Sequence, residues 1–177
     1  RYFVEHTRLG IPVLFHIEAH HGVGDQDGVC FPQAPGLAST WDDELIQKLF
    51  EATGKQTRAR GIQHVLSPVV DIVRDPRWGR TEECFGEDPY LASRIGVAAV
   101  KGLQGTTEED FKERVCSTLK HFAVYGQTEG GINCSPGNLS ERVIREAFFP
   151  PFEAAVKEGK VKCIMPSYNE VNGVPCH

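Results

Sequence analysis

The chain has 177 residues, of which 40% are hydrophobic and 24% are charged, and this balance is typical of a folded globular protein rather than a disordered one. The formal net charge of −5, without any polybasic cluster, argues against nucleic acid and anionic membranes as partners. No apolar run approaches the roughly 20 residues that a bilayer-spanning helix needs.

Four apolar segments predict the strands of a sheet. Each is largely apolar instead of alternating with polar residues, which is typical of strands covered on both faces. The four segments are residues 12–19, 64–73, 117–125 and 161–168.

Helical patterns separate the predicted strands. The first runs over residues 40–60, with Thr40 as the expected N-cap and acidic residues in its first turn. The second begins at the N-cap Asp88, has Pro89 at its first position and runs to about Leu103. The third covers residues 140–157, where Pro150-Pro151 predicts a kink or a division into two shorter helices.

The resulting order of alternating strands and helices predicts an α/β fold with a parallel sheet and right-handed crossovers. A (β/α) barrel and a doubly wound sheet both satisfy this order, and both would place a functional site at the carboxyl ends of the strands. Four strands make only half of an eight-stranded barrel, and the sheet would keep an open edge. The chain starts at Arg1 without an initiator methionine and stops at His177 after a turn-like Asn172-Gly173, so we expect a piece of a longer protein.

Residues 75–89 carry the most unusual composition of the chain. This segment holds two arginines, five carboxylates, two glycines, two prolines and Trp78, which we expect to be exposed. It follows the second predicted strand, where binding groups concentrate in such folds. Arginine and tryptophan supply planar donors and an apolar ring, and the acids supply acceptors for hydroxyl groups. A structural loop linked by salt bridges is the alternative.

Polar groups also end the first, third and fourth predicted strands. Glu18 is followed by His20 and His21; with His16 these histidines could suggest a metal site, but hydrogen-bonded structure is the commoner explanation and no metal is predicted. Lys120 and His121 can reach one pocket if the pleat breaks there, and a buried lysine paired with a carboxylate is the alternative. Tyr168 is either a pocket residue or a core tyrosine with one hydrogen bond.

Other motifs say less about function. The six cysteines include no Cys-x-x-Cys pair, so they indicate neither a zinc motif nor a redox motif, and they leave disulfides and the cellular compartment open. No glycine-rich nucleotide-binding loop follows a strand, and no cofactor is predicted.

Taken in order, these strand ends resemble the N-terminal catalytic domain of glycoside hydrolase family 3. The resemblance covers nearly the whole chain and implies roughly the first half of the strands of a (β/α)8 TIM-like barrel, spanning residues 1–177. The motifs that carry it are Leu9-Gly10-Ile11-Pro12, Glu18-Ala19-His20-His21-Gly22, Phe31-Pro32-Gln33, residues 75–89, Lys120-His121-Phe122, Ser140-Glu141-Arg142, residues 151–155 and Ser167-Tyr168-Asn169.

The resemblance implies an exo-acting retaining β-glycosidase that removes terminal nonreducing β-D-glucosyl or β-D-xylosyl residues from oligosaccharides or from aryl and alkyl β-glycosides. It implies that the carboxylate of Glu18 accepts hydrogen bonds from sugar hydroxyls. The implied sugar site also contains Arg80, Lys120 and His121, which donate hydrogen bonds to sugar hydroxyls. Met165 and Tyr168 are implied to line the pocket near the anomeric carbon.

The resemblance implies no catalytic residue within this chain. The family's nucleophile is an Asp on the strand that follows the Ser-Tyr-Asn motif, and its acid/base lies later still, so both are expected beyond His177 and the segment alone is expected to be inactive. The acids at Glu82, Glu83, Glu87 and Asp88 are expected to pair with arginines or cap a helix. The family also favours a periplasmic or secreted location, while the oligomeric state stays open.

Two alternatives remain within the resemblance. One is a sugar-binding relative without catalytic activity, because the nucleophile cannot be read from these residues. The other is the β-N-acetylglucosaminidase subgroup, in which the Lys-His strand continues Pro-Gly-His-Gly. Here Phe122 is followed by Ala123-Val124-Tyr125-Gly126, which disfavours that subgroup. An unrelated barrel enzyme for phosphorylated substrates is disfavoured by the missing phosphate loop.

Overall fold

The computed structural model describes residues 1–177 and contains a parallel four-stranded sheet in the order β1-β2-β3-β4. Its strands are β1 His16–Ile17, β2 His64–Val65, β3 Cys116–Phe122 and β4 Cys163–Pro166. Each of the four predicted segments contributes one strand, although the regular pairing is shorter than predicted. In the second segment, Pro68 lacks an N–H and interrupts the ladder, yet Val70 still donates to the carbonyl of Lys120 at 3.0 Å.

The predicted helices are present, and their starts reflect capping chemistry. Helix α3, Asp43–Ala59, begins after Asp42, whose side chain accepts from the backbone N–H of Leu45. The predicted N-cap Thr40 is therefore wrong, because its hydroxyl donates back to the carbonyl of Leu37 instead. Helix α4, Pro89–Gln104, has the predicted N-cap Asp88.

The interruption predicted at Pro150-Pro151 takes the form of a π-helical turn. Helix α6, Glu141–Val143, is capped by Ser140 and runs through the π-helical residues Ile144–Phe148 into α7, Phe149–Lys157. The backbone N–H of Phe149 bonds the carbonyl of Ile144, five residues earlier. The helix therefore widens immediately before the first proline, which cannot donate a helical hydrogen bond.

Several short elements connect the main ones. The turn Asn172-Gly173 joins a small hairpin and has positive φ at both residues, 49° and 82°, which favours the tight type I′ geometry. The short elements are α1 Tyr2–His6, α2 Ala34–Ala38, α5 Glu108–Glu113, the 3-10 turns Pro76–Trp78 and Thr81–Glu83, β5 Glu170–Val171 and β6 Val174–Pro175.

The main hydrophobic core lies between one face of the sheet and the helices α3, α4 and α7. Ile46 and Phe50 of α3, Leu103 of α4 and Leu119 of β3 are at most 2% exposed there. In contrast, Ile164 on the edge strand β4 is 46% exposed. None of the helices combines the length and the apolar composition that crossing a bilayer would require.

Candidate functional site

Polar side chains from three strand ends converge at the carboxyl edge of the sheet. Those that follow β1 and β2 line a cavity of about 320 Å³, near the lower limit of the ~300–1,000 Å³ typical of small-molecule sites. Its walls come from the loop after β1, the start of α2 and the loop after β2, and no apolar side chain lines it: Glu18, His20, His21, Gln33, Arg80, Glu82 and Glu83.

Glu18 lies at the mouth of this cavity, and two neighbouring side chains fix its carboxylate. Its carboxylate accepts a hydrogen bond from the Lys120 ammonium, whose side chain is 3% exposed. The Nε2 atom of His20 lies 2.9 Å from the same carboxylate oxygen. More than half of the Glu18 side chain remains exposed, so the carboxylate keeps acceptor capacity toward the cavity while it neutralises a buried charge.

His20 was predicted as structure or as a weak metal candidate, and it lies within this network. Burial and, after it, the Lys120 ammonium lower its pKa from 6.5 to about 4, so the ring is neutral near pH 7. The Ser67 hydroxyl lies 2.9 Å from Nδ1 and donates to it, which leaves the proton on Nε2 facing Glu18. Both ring nitrogens are engaged, which argues against His20 as a metal ligand.

Arg80 and Glu83 form the second charged unit of the cavity. Two parallel hydrogen bonds of 2.7 Å join the guanidinium to the carboxylate. Burial opposes ionisation of Glu83, but the bonds and charge of Arg80 outweigh it and hold the pKa of Glu83 below its ordinary value. The expected pairing of this acid with an arginine is therefore present. The two parallel hydrogen bonds fix the orientation of the guanidinium plane.

His121 is oriented by Asp71, a residue that the sequence reasoning missed. The side chains of both are at most 3% exposed, and 2.7 Å separates Nδ1 of His121 from Oδ2 of Asp71. On the other side, Arg80 lies 3.2 Å from Nε2 of His121. Because arginine can only donate, Nε2 accepts and the proton lies on Nδ1. The sequence feature that could have indicated Asp71 is that it is the single acidic residue within the apolar run 64–73.

Lys120 and His121 lie next to each other in the chain, yet both are buried and each contacts a residue that lines the cavity, Glu18 and Arg80 respectively. The register between β3 and β4 shifts between Leu119 and Phe122, so the regular alternation of the strand ends there. The pleat therefore breaks at the strand end, which is the condition under which the sequence predicted a shared pocket.

The structure places Met165 and Tyr168 apart from the residues that line the cavity. Met165 is half-buried on β4. Tyr168 is 64% exposed, and its ring packs edge-on against Tyr125 with 6.1 Å between centroids. The ring of Tyr125 in turn contacts His121 at 4.9 Å. Tyr168 thus lies one aromatic ring away from the polar network.

Some residues of the segment 75–89 stabilise the loop, and others form one wall of the cavity. Trp78 is only 3% exposed, so its predicted exposure is wrong. Its indole N–H donates to Asn133 at 2.8 Å and its ring packs against Tyr125, because the segment folds back over the loop after β3. Asp75 bonds Arg77 and caps the first 3-10 turn. The segment presents Arg80 and Glu83 while its other groups stabilise the loop.

Comparisons with known proteins assign the chain to a family. The model of the glycosyl hydrolase family 3 N-terminal domain matches residues 1–177. The chain belongs to glycoside hydrolase family 3. A β-xylosidase of Formosa agariphila is 50% identical over 96% of this chain and 24% of its own length. A β-glucosidase of Rhizobium radiobacter is 38% identical over 94% of this chain and 20% of its own length.

Solved structures of family 3 enzymes share the fold. A β-glucosidase from Erythrobacter marinus superposes with a TM-score of 0.93 at 39% identity, covering 98% of this chain and 23% of that protein. A β-glucosidase from Listeria innocua in complex with glucose gives a TM-score of 0.91 at 35% identity, with coverages of 98% and 24%. These likenesses confirm the predicted α/β fold as part of a barrel. The chain spans about a quarter of the length of these relatives.

Proposed function

We propose that the protein containing this chain is an exo-acting retaining β-glycosidase that releases terminal nonreducing β-D-xylosyl or β-D-glucosyl residues. The observation that carries this proposal is the half-exposed carboxylate of Glu18, backed by Lys120 and His20, at the mouth of a polar cavity of about 320 Å³. A cavity of this size accommodates one sugar ring, and its position at the carboxyl ends of the strands is where barrel enzymes bind substrates.

Each polar group of the site has a part in this proposal. Glu18 accepts hydrogen bonds from sugar hydroxyls, and the remaining N–H groups of Lys120 and Arg80 donate to hydroxyl oxygens. In this proposal His121 keeps Arg80 in place through Nε2 instead of donating to a hydroxyl as predicted, because the proton on Nδ1 is bonded to Asp71. Met165 and Tyr168 are proposed as residues near the anomeric carbon on the family resemblance alone, since neither of them lines this cavity. Charged hydrogen-bond partners are stronger than neutral ones, and contacts to sugar hydroxyls that tighten in the transition state speed glycoside cleavage.

The carboxylates that break the bond lie outside residues 1–177 in this proposal. A retaining enzyme needs a nucleophile and an acid/base with carboxyl groups about 5–5.5 Å apart. Glu83 is held by two hydrogen bonds to Arg80, and Glu18 is held by Lys120 and His20, so neither is free to attack. We assign the nucleophile to an Asp on the strand that follows Ser167-Tyr168-Asn169. The 177-residue segment, as the first half of the barrel, binds sugar without cleaving the glycoside.

The test uses the full-length protein with aryl β-D-xyloside and aryl β-D-glucoside. We expect release of the aryl group together with one monosaccharide, and NMR of the fresh product should show the β anomer. The segment of residues 1–177 should release nothing from either substrate. If the full-length protein binds a monosaccharide but hydrolyses no β-glycoside, it is a catalytically inactive relative and the proposal is overturned.

The same assay decides between the two sugars. The β-xylosidase of Formosa agariphila shares 50% of residues with this chain, and the β-glucosidase of Rhizobium radiobacter shares 38%. This difference favours xylose as the preferred sugar. We expect kcat/KM for the aryl xyloside to exceed that for the aryl glucoside. The reverse order would assign the site to glucose and leave the reaction class unchanged.

A further inference from the structure

A second cluster of chemically active side chains lies at the opposite end of the sheet. The first residues of the four strands form a row across it: His16, His64, Cys116 and Cys163. In the parallel register His16 pairs with His64, His64 pairs with Cys116, and Cys163 pairs with Thr118, two residues beyond Cys116. On β3, alternate residues share a face, so Cys116 lies on the same face as Lys120, about 13 Å below it at ~3.3 Å per residue.

Three members of this row approach one another closely enough to share an ion. The ligand atoms of His64, Cys116 and Cys163 all lie within 4.8 Å of one another. The two sulfurs are 3.4 Å apart and belong to free thiols. Two thiolates bound to one tetrahedral zinc ion at ~2.3 Å would be separated by about 3.8 Å. The observed spacing therefore needs an adjustment of only a few tenths of an ångström.

We propose that His64, Cys116 and Cys163 bind a zinc ion at the amino ends of β2, β3 and β4. Two thiolates and an imidazole form a ligand set that suits this soft-to-borderline cation, and they leave a fourth tetrahedral position open. His16 lies across from His64 with 6.4 Å between the ring centroids and is not one of the three proposed ligands. Hard cations such as magnesium and calcium require oxygen ligands, which the three side chains do not supply.

The surroundings of His64 suit a metal ligand. The Thr118 hydroxyl bonds Nε2 of His64 and fixes the ring, as the outer-shell partners of metal-binding histidines do.

The position of the cluster indicates a structural role for the metal. The three ligands stand on adjacent strands that already pair in parallel, so a shared ion would tie β2, β3 and β4 together. In barrel folds the carboxyl ends of the strands carry function and the amino ends carry stability. Zinc bound here would stabilise the folded protein without touching the sugar cavity.

The test measures metal content and is independent of glycoside hydrolysis. The full-length protein is reduced, incubated with zinc chloride alone and dialysed. Its zinc content per chain is then measured by elemental mass spectrometry. We expect one zinc ion per chain, and at least a tenfold loss of affinity in Cys116→Ser and Cys163→Ser. The matched control is Cys30→Ser, because Cys30 is exposed and lies outside the cluster, and it should retain zinc like the wild type.

A second measurement needs no variant and covers the case in which the serine variants do not fold. Cobalt(II) added to the reduced wild-type protein should produce the near-ultraviolet charge-transfer band of a cobalt–thiolate bond and intense visible bands of tetrahedral cobalt. Zinc should then displace the cobalt and remove both. Absence of these bands, or equal zinc content in the wild type and both serine variants, would overturn the proposal.

Discussion

The two ends of the parallel sheet carry contrasting side chains on one face of the same strands. At the carboxyl end, Glu18, Lys120 and Arg80 are charged and paired, and Glu18 and Arg80 line a cavity. At the amino end, an imidazole and two cysteine sulfurs lie close together in His64, Cys116 and Cys163. Cys116 and Lys120 are four positions apart on β3, so a single strand contributes a side chain to each end. What a side chain can bind therefore depends on its position along the strand as well as on the face of the sheet to which it belongs.

The largest expected effect is the loss of activity in Glu18→Gln. The substitution removes the charged acceptor offered to sugar hydroxyls and leaves the buried Lys120 ammonium without its carboxylate. We expect kcat/KM of the full-length protein for aryl β-glycosides to fall roughly 100- to 1,000-fold, equivalent to about 3–4 kcal/mol. Zinc content should not change, since the cluster at the amino end is untouched.

Glu109→Gln is the matched control for this substitution, because Glu109 is exposed on the short helix α5 and outside the cavity. Its kcat/KM should equal that of the wild type. Wild-type kcat/KM in Glu18→Gln would contradict the role proposed for this carboxylate and would make the network around Lys120 a structural feature.

Asp71→Asn tests whether the buried carboxylate positions His121. An amide replaces the charged acceptor of two hydrogen bonds from His121, one from the backbone and one from Nδ1. We expect the free energy of unfolding to fall by about 1–3 kcal/mol, together with a roughly 10- to 100-fold loss in kcat/KM. Urea unfolding and steady-state kinetics measure the two effects.

Asp27→Asn serves as the comparison for the buried carboxylate, because Asp27 is exposed in the loop after β1. Its stability should stay within about 0.5 kcal/mol of the wild type. If Asp71→Asn lost stability but kept wild-type kcat/KM, Asp71 would support the fold without positioning His121 for the sugar.

A smaller effect concerns pH. His20 has its pKa lowered from 6.5 to about 4 by burial and by the Lys120 ammonium, so between these values the unfolded chain binds more protons than the folded one. The free energy of unfolding therefore rises with pH through this window and falls as the pH drops from about 6.5 towards 4. The contribution of one such group is on the order of 2 kcal/mol.

Comparison with His20→Gln isolates this contribution. Urea unfolding midpoints at pH 7 and pH 4.5 should differ more in the wild type than in the variant, because glutamine does not titrate. The difference between the two pH values is the relevant quantity, since the substitution also changes the contacts to Glu18 and Ser67. Equal differences in both proteins would show that His20 is not held neutral by the fold.

The sequence predicted much of the fold because local signals were strong. Apolar runs marked all four strands, and Asp88-Pro89 marked the start of α4 through capping chemistry that involves only neighbouring residues. The wrong predictions arose where the local sequence is compatible with two different structures. Thr40 and Asp42 both suit an N-cap, and only the Asp42 side chain accepts from the first turn of α3. Trp78 lies in a polar segment, yet Tyr125 and Asn133 cover it.

For the candidate site, the strand ends indicated Glu18, Arg80, Lys120 and His121; His20 was interpreted as hydrogen-bonded structure without its partners, and Asp71 was missed. Asp71 and His121 are 50 positions apart, and Ser67 and His20 are 47 positions apart. Partners at such separations depend on strand register and loop path, which no local pattern encodes. The roles of the predicted sugar-binding residues remain predictions that the variants above will test.

The amino-acid sequence by itself determined the order of strands and helices, the family, and which residue types stand at the strand ends, because these depend on local composition and motif order. Only the tertiary structure decided which groups pair, as when Lys120 meets Glu18 across 102 positions, and hence which oxygens and nitrogens stay available. It also decided that His64, Cys116 and Cys163 meet. Parallel pairing aligns strand starts that are distant in the chain, and the resulting proximity sets the electrostatics and the binding chemistry.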